Sequence, residues 1–156
     1  MGYLPVRRAA RAVVFDQNKN IGVLYVGKHG YHKLPGGGLE GGEDIDAALR
    51  RECLEEIGCD IETFGELGEI IEYRDKFSLK QHSYCFIANL VGERKKPNFT
   101  QGEIENGFSI KWLPLENALE LLLNDQPEEY EGKFIQIRDS LFLKEAISFL
   151  QNSAIK

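Results

Sequence analysis

The stretch from Leu34 to Cys59, LPGGGLEGGEDIDAALRRECLEEIGC, constrains this chain more than any other. It opens on glycines and closes on a dense set of carboxylates. Asp44 is a natural helix N-cap, Ile45 to Ile57 are good helix material, and Gly58 offers a left-handed stop. With Glu52 at zero on a wheel of about 100° per residue, Glu55 and Glu56 fall roughly 60° and 40° to either side. All three glutamates therefore share one face. Glu43, one residue before the cap, can point toward the same end. The glycines at 36–38 read as a loop that lets backbone come close to a charged group, which makes Gly37 and Gly38 candidates for substrate contact.

Like charges three or four residues apart on a helix repel by roughly 0.2–0.5 kcal/mol per pair. A sequence that gathers three either leaves them solvated, the ordinary fate of an acidic surface face, or fills the site with cations. Oxygen-only ligands suit hard cations, so Mg²⁺ or Mn²⁺ is the expected occupant.

The wider pattern decides between these. Gly37, Glu43, Arg51, Glu52, Cys53, Glu55, Glu56, Gly58 and Cys59 fit Gly-x5-Glu-x7-Arg-Glu-U-x-Glu-Glu-x-Gly-U, where U is a bulky apolar residue. A chance match is on the order of 10⁻⁹ per starting position. The pattern resembles the box of the Nudix hydrolase family. Cysteine at both U positions is smaller than usual, but free cysteine packs as a small hydrophobe. The resemblance implies that the Gly36 carbonyl, Glu52 and Glu56 hold the metal, with Glu55 binding it or serving as base through a water. It implies that Arg51 pairs with the box glutamates, Glu43 being the partner that orients it. Glu52 or Glu55 could accept the proton. In some family members the base comes from a later loop, where Glu103 and Glu105 lie, and at least one of these is expected to assist catalysis. Arg11, Lys28 and Lys33 are candidate phosphate contacts, and Arg74, Lys76 and Lys80 could line the far edge. His32 stands where the family commonly has Trp.

Along the chain, residues 6–16 and 21–28 read as a hairpin of strands, followed by a short extended link into the glycines. Residues 60–73 read as a strand broken near Gly65 and Gly68, and 78–91 as the cleanest strand. A polar loop spans 92–103. A strand covers Gly107 to Leu113, and Pro114 opens a helix at its N1 position. A last amphipathic helix covers 134–150, with Phe134, Ile137, Leu141, Leu143, Ala146, Ile147 and Leu150 as its apolar contacts. Strands flanking a helix, with helices at the end, predict an α/β fold, an α/β/α sandwich around a mixed β-sheet, as the resemblance also implies. At 156 residues one domain is expected.

Net charge is −6, with no basic run, so neither a nucleic-acid polymer nor a membrane is an expected partner. The first residues, MGYLPVRR, hold no apolar stretch, so no secretory leader is expected. Three cysteines in no zinc pattern read as reduced thiols of a cytoplasmic protein. The expected partner is a small-molecule nucleotide, with a homodimer left open. The resemblance implies hydrolysis of a nucleoside diphosphate linked to another moiety. No Pro occurs in 60–96, which disfavours the ADP-ribose group. By elimination a nucleoside triphosphate pyrophosphatase of the MutT type is expected. ADP-ribose, nucleotide-sugar and dinucleoside polyphosphate pyrophosphatases remain alternatives, as does a non-catalytic nucleotide-binding regulatory protein.

Overall fold

The computed structural model describes residues 5–155; residues 1–4, part of the stretch in which no leader is expected, lie outside it. Strand β1 (Val6–Phe15) is central to a seven-stranded mixed sheet. One of its edges runs parallel to β6 (Leu79–Val91), from Val6 opposite Lys80 to Phe15 opposite Asn89. Its other edge touches β2 (Asn20–Val26) only at Phe15 opposite Ile21. Beyond that point β1 and β2 diverge. The gap is filled by β3 (Tyr31–Lys33), paired with β2, and β4 (Gly36–Gly38), paired with β1. Between them the Pro35 carbonyl accepts from the Ala12 N–H at 3.1 Å. The residues expected to form a link and a glycine loop are thus strands, because two separating neighbours each offer them a free edge to pair with.

Strand β5 (Asp60–Arg74) pairs antiparallel with β6 as a long hairpin, with irregularities at Thr63/Gly65 and Glu66/Gly68. The two glycines expected to break the strand instead bulge it, and pairing continues on both sides. Strand β7 (Phe108–Pro114) closes the other edge against β2.

Side chains alternate across β1, so each face carries its own core. Ala10, Ala12 and Val14 pack with Ala48, Leu49, Cys53 and Ile57 of helix α1 (Ile45–Ile57). Val13 on the opposite face packs with Leu115, Ala118 and Leu122 of α3 (Leu115–Asn124) and with Phe142, Leu143 and Ala146 of α4 (Tyr130–Ile155). The architecture is the expected α/β/α sandwich. Each fully buried Leu contributes roughly 1.5–3 kcal/mol.

Three helix expectations need correction. A short helix, α2 (Gln101–Glu105), interrupts the end of the expected polar loop, started by a capping box between Thr100 and Glu103. Pro114 ends β7 and caps α3 rather than opening it at N1. Helix α4 is longer than 134–150, and Ile137 and Leu141 of its expected apolar face are 63 % and 47 % exposed. Arg138, Asp139 and Ser140 are buried in their place, because the two charges pair with each other and with the sheet. Among the described residues, no helix is long and apolar enough to cross a membrane.

Candidate active site

Helix α1 begins and ends where its sequence dictates. The Asp44 side chain accepts from the Ala47 N–H at 2.7 Å, and Gly58 ends the helix at φ 65°. With both ends set, Glu52 and Glu56 face inward and are buried. They approach β4 from one side of the sheet. Gly37 is needed there because a Cβ would lie 2.8 Å from the Glu52 carboxylate carbon. From the other side the Arg7 guanidinium covers Gly38, where a Cβ would also meet it at 2.8 Å. The glycines thin the sheet to bare backbone, so acidic and basic side chains reach one pocket from opposite layers.

That pocket has a volume of about 390 Å³. On its acidic wall, one carboxylate oxygen from each of Glu52, Glu56 and Glu103 lies within 4.8 Å of the other two. Glu103 is steadied by its capping box, accepting from the Thr100 N–H at 2.9 Å. Glu56 accepts from the Gly36 N–H at 2.7 Å and has Lys33 Nζ at 3.6 Å. Burial pushes Glu56 above the ordinary carboxylate range, against the pull of Lys33, and its contact with Glu103 adds to the rise. For Glu103 burial also works upward, but the hydrogen bond with Glu56 and the Thr100 backbone outweigh it and bring it below the usual range. Of the pair, Glu56 is the one shifted toward its protonated form. Three converging carboxylate oxygens and a nearby carbonyl are a hard-cation donor set, and a divalent ion would favour their ionised forms.

Arg51 is the hub beside this cluster. It donates to both Glu43 oxygens at 2.7 and 2.9 Å, to Glu52 at 3.0 Å, to Glu55 at 3.3 Å and to the Gly38 carbonyl at 3.2 Å. The fork pulls the half-buried Glu43 down to about 2, and Glu43 raises Arg51 in turn.

The opposite wall is cationic, formed by Arg7 and Arg11 of β1, Arg74 of β5 and Arg138 of α4. Arg138 donates to Asp139 at 2.7 Å and to Glu72 at 3.1 Å. Arg74 donates to Glu72 at 2.9 Å and to Glu131 at 3.4 Å. Asp139 also accepts from the Leu34 N–H at 2.9 Å, which ties α4 to the turn before Gly36. Burial, then the neighbouring Arg138, lowers Arg11 to about 10.

The structure sorts the sequence candidates. Arg11, Lys33, Gly36, Gly37, Gly38, Glu52, Glu56, Glu103 and Arg74 line the pocket. Lys28 does not: it is exposed beside His29 and Asp125 in a separate surface hollow. Glu105 is exposed, bonded to Gln101 on the outer side of α2. Glu55 sits outside the lining, held by Arg51. His32 is buried, with Asp125 Oδ1 at 3.0 Å on one ring nitrogen and Lys111 on the other, so it clamps β3 to the end of α3. Arg7, Glu72, Arg138 and Asp139 were not singled out. A signal existed for Arg7, which lies on the same strand face as Arg11; none marks a charged pair on the inward face of a long helix.

An acidic wall that fits a hard cation, opposed by arginines, suits a phosphoric anhydride. The chain belongs to the NUDIX domain family, whose pattern matches residues 5–134. No curated protein matches it. Among solved structures it is similar to a NUDIX hydrolase from Nitrosomonas europaea, at 18% identity and TM-score 0.64 over 86% of this chain and 88% of that one. It is also similar to an Ap4A hydrolase from C. elegans, at 17% identity and TM-score 0.64 over 94% and 99%. The MutT protein from Methanosarcina mazei Go1 aligns at 16% identity and TM-score 0.61 over 92% and 95%. At these identities the likeness is one of fold.

Proposed function

We propose that the chain hydrolyses the anhydride bond of a nucleoside diphosphate derivative in a Mg²⁺-dependent reaction. The first candidate is a nucleoside triphosphate, giving a monophosphate and pyrophosphate. The observation that carries this reading is the convergence of Glu52, Glu56 and Glu103 opposite a cationic wall in one pocket. Glu52, Glu56 and the Gly36 carbonyl would hold the cation. When bound, it neutralises phosphoryl oxygens and lowers the pKa of a water.

The protein's own groups do the rest. Lys33, beside Glu56, binds phosphoryl oxygens of the scissile anhydride from the pocket side. Arg51 fixes the Glu52 carboxylate through Nη1 while its fork is anchored on Glu43. Glu103 is placed to accept a proton at the carboxylate oxygen facing Glu56. Of the two loop glutamates, only Glu103 lines the pocket, which favours it over Glu105. Three free, buried cysteines support a cytoplasmic location.

The test is Mg²⁺-dependent release of phosphate or pyrophosphate across nucleoside triphosphates, ADP-ribose, dinucleoside polyphosphates and nucleotide sugars, with Glu56→Gln as control. Turnover that disappears in Glu56→Gln supports the reading. Tight nucleotide binding with no turnover of any compound makes the chain a binding protein instead.

A further inference from the structure

The cationic wall holds more charge than the protein itself neutralises. Arg138 and Arg74 are matched by Glu72, Asp139 and Glu131. Arg7 and Arg11 are not. Arg7 Nη1 donates to Gln81, a neutral group, at 2.6 Å. Arg11 is 4 % exposed and, among the described residues, makes no hydrogen bond or ion pair; its Nε is buried without a partner. A buried cation left unpaired opposes folding. A fold keeps such a group where a ligand's charge completes it.

The two arginines are also placed differently. Arg11 sits opposite Gly36, at the acidic end. Arg7 lies beyond Gly38, roughly 13 Å along the strand by Cα spacing. Gln81 and Glu72 are level with Arg7 on β6 and β5, so it is braced from behind by a polar row. The apolar residues lining the pocket are Leu39 and Ile135, and among the described lining residues none is aromatic. The wall therefore offers guanidinium charge rather than an aromatic face to what it holds.

Resting on the anhydride-hydrolase reading, we propose that Arg7 and Arg11 form a subsite for an additional phosphate on the substrate, beyond the two joined by the scissile bond. That phosphate is either the terminal one of a nucleoside triphosphate or a monoester on the sugar of a diphosphate sugar. Both present the same dianionic oxygens to the same guanidinium groups.

Two matched pairs test this: ATP against ADP, and ADP-ribose 1″-phosphate against ADP-ribose. For each, kcat/KM is measured with Mg²⁺ in the wild type, Arg11→Met and Arg7→Met. The phosphorylated member of one pair should be preferred about tenfold or more, and that pair identifies the source of the phosphate. In either variant the ratio should return toward one. Inorganic phosphate without metal should raise the melting temperature of the wild type and of neither variant. Arg11→Met itself should melt at or above the wild-type temperature, since it removes an unpaired charge. Ratios near one in both wild-type pairs, ratios unchanged by both variants, or a lower melting temperature of Arg11→Met would each overturn the subsite. If no compound is turned over, the hydrolase reading fails, and the phosphate-induced shift decides the subsite alone: its loss in the variants keeps it, and its absence from the wild type removes it.

Discussion

Replacing Asp139 by Asn should cost more stability than its shape suggests. Asp139 is 0 % exposed and takes the Arg138 Nε at 2.7 Å and the Leu34 N–H at 2.9 Å. The substitution keeps volume and a carbonyl for Leu34 but removes the charge. Arg138, 1 % exposed, then has only Glu72, which it shares with Arg74. Breaking one side of a buried ion pair costs about 3–5 kcal/mol. For a chain of this size that lowers the melting temperature by roughly 6–20 °C. Urea unfolding at pH 7 measures it directly. Replacing both partners, Arg138→Met with Asp139→Asn, removes equal and opposite charges, keeps an acceptor for the Leu34 N–H and leaves Glu72 with Arg74. The double variant should therefore be more stable than Asp139→Asn. Acid adds a second check. Burial would raise the Asp139 pKa, but Arg138 outweighs it and the net shift is downward from 3.8. Its contribution is thus present above pH 3.8 and lost as pH falls through the folded value. The gap between wild type and Asp139→Asn should narrow below that point. A loss under about 1 kcal/mol at neutral pH, the worth of an exposed pair, would refute the claim that this charge is held in a low-dielectric network.

Other outcomes follow from the acidic wall. Glu103→Gln should lower kcat by about 10²–10⁴, while Glu105→Gln should leave it near wild type; equal effects would remove the distinction drawn from the pocket. Gly37→Ala places a methyl against the Glu52 carboxylate, where φ is not in the left-handed region. It should weaken Mn²⁺ uptake in calorimetry by roughly tenfold or more, in the range seen when ligand-supporting groups change, with a near-normal melting temperature. Without divalent cations, stability should fall as pH rises above 4.5, because the folded-state Glu56 holds its proton more tightly than the unfolded chain does. Added Mg²⁺ should flatten that decline, and a pH series of melts in chelator reads both.

Helix α1 was legible to its ends because its signals are local: a capping Asp44, a continuous run of helix formers, and Gly58 as a stop. The Arg51–Glu43 fork was legible for the same reason, since eight residues separate them across one turn and two helical turns. What failed was long-range. Gly36–Gly38 look like a loop until the divergence of β1 and β2 gives them an edge to pair with. Ile137 and Leu141 fit the apolar stripe of the last helix by spacing, yet both face outward. The inward face of α4 instead holds Arg138 and Asp139, satisfied by Glu72 and Leu34 from segments about 66 and 105 positions away. Lys28 and Lys33 are alike as residues. Only the register of β3 on β2 shows that Lys33 turns into the pocket, while Lys28 lies in the turn that joins the two strands.

The family pattern ends at residue 134, yet Arg138 and Asp139 lie past it. Through the Leu34 N–H, this last helix reaches the turn that precedes the glycines, and through Glu72 it backs the arginine wall. Changes there could retune which anion is accepted while every box residue stays untouched. Chemistry and selectivity would then be carried by different lengths of chain, able to diverge at different speeds.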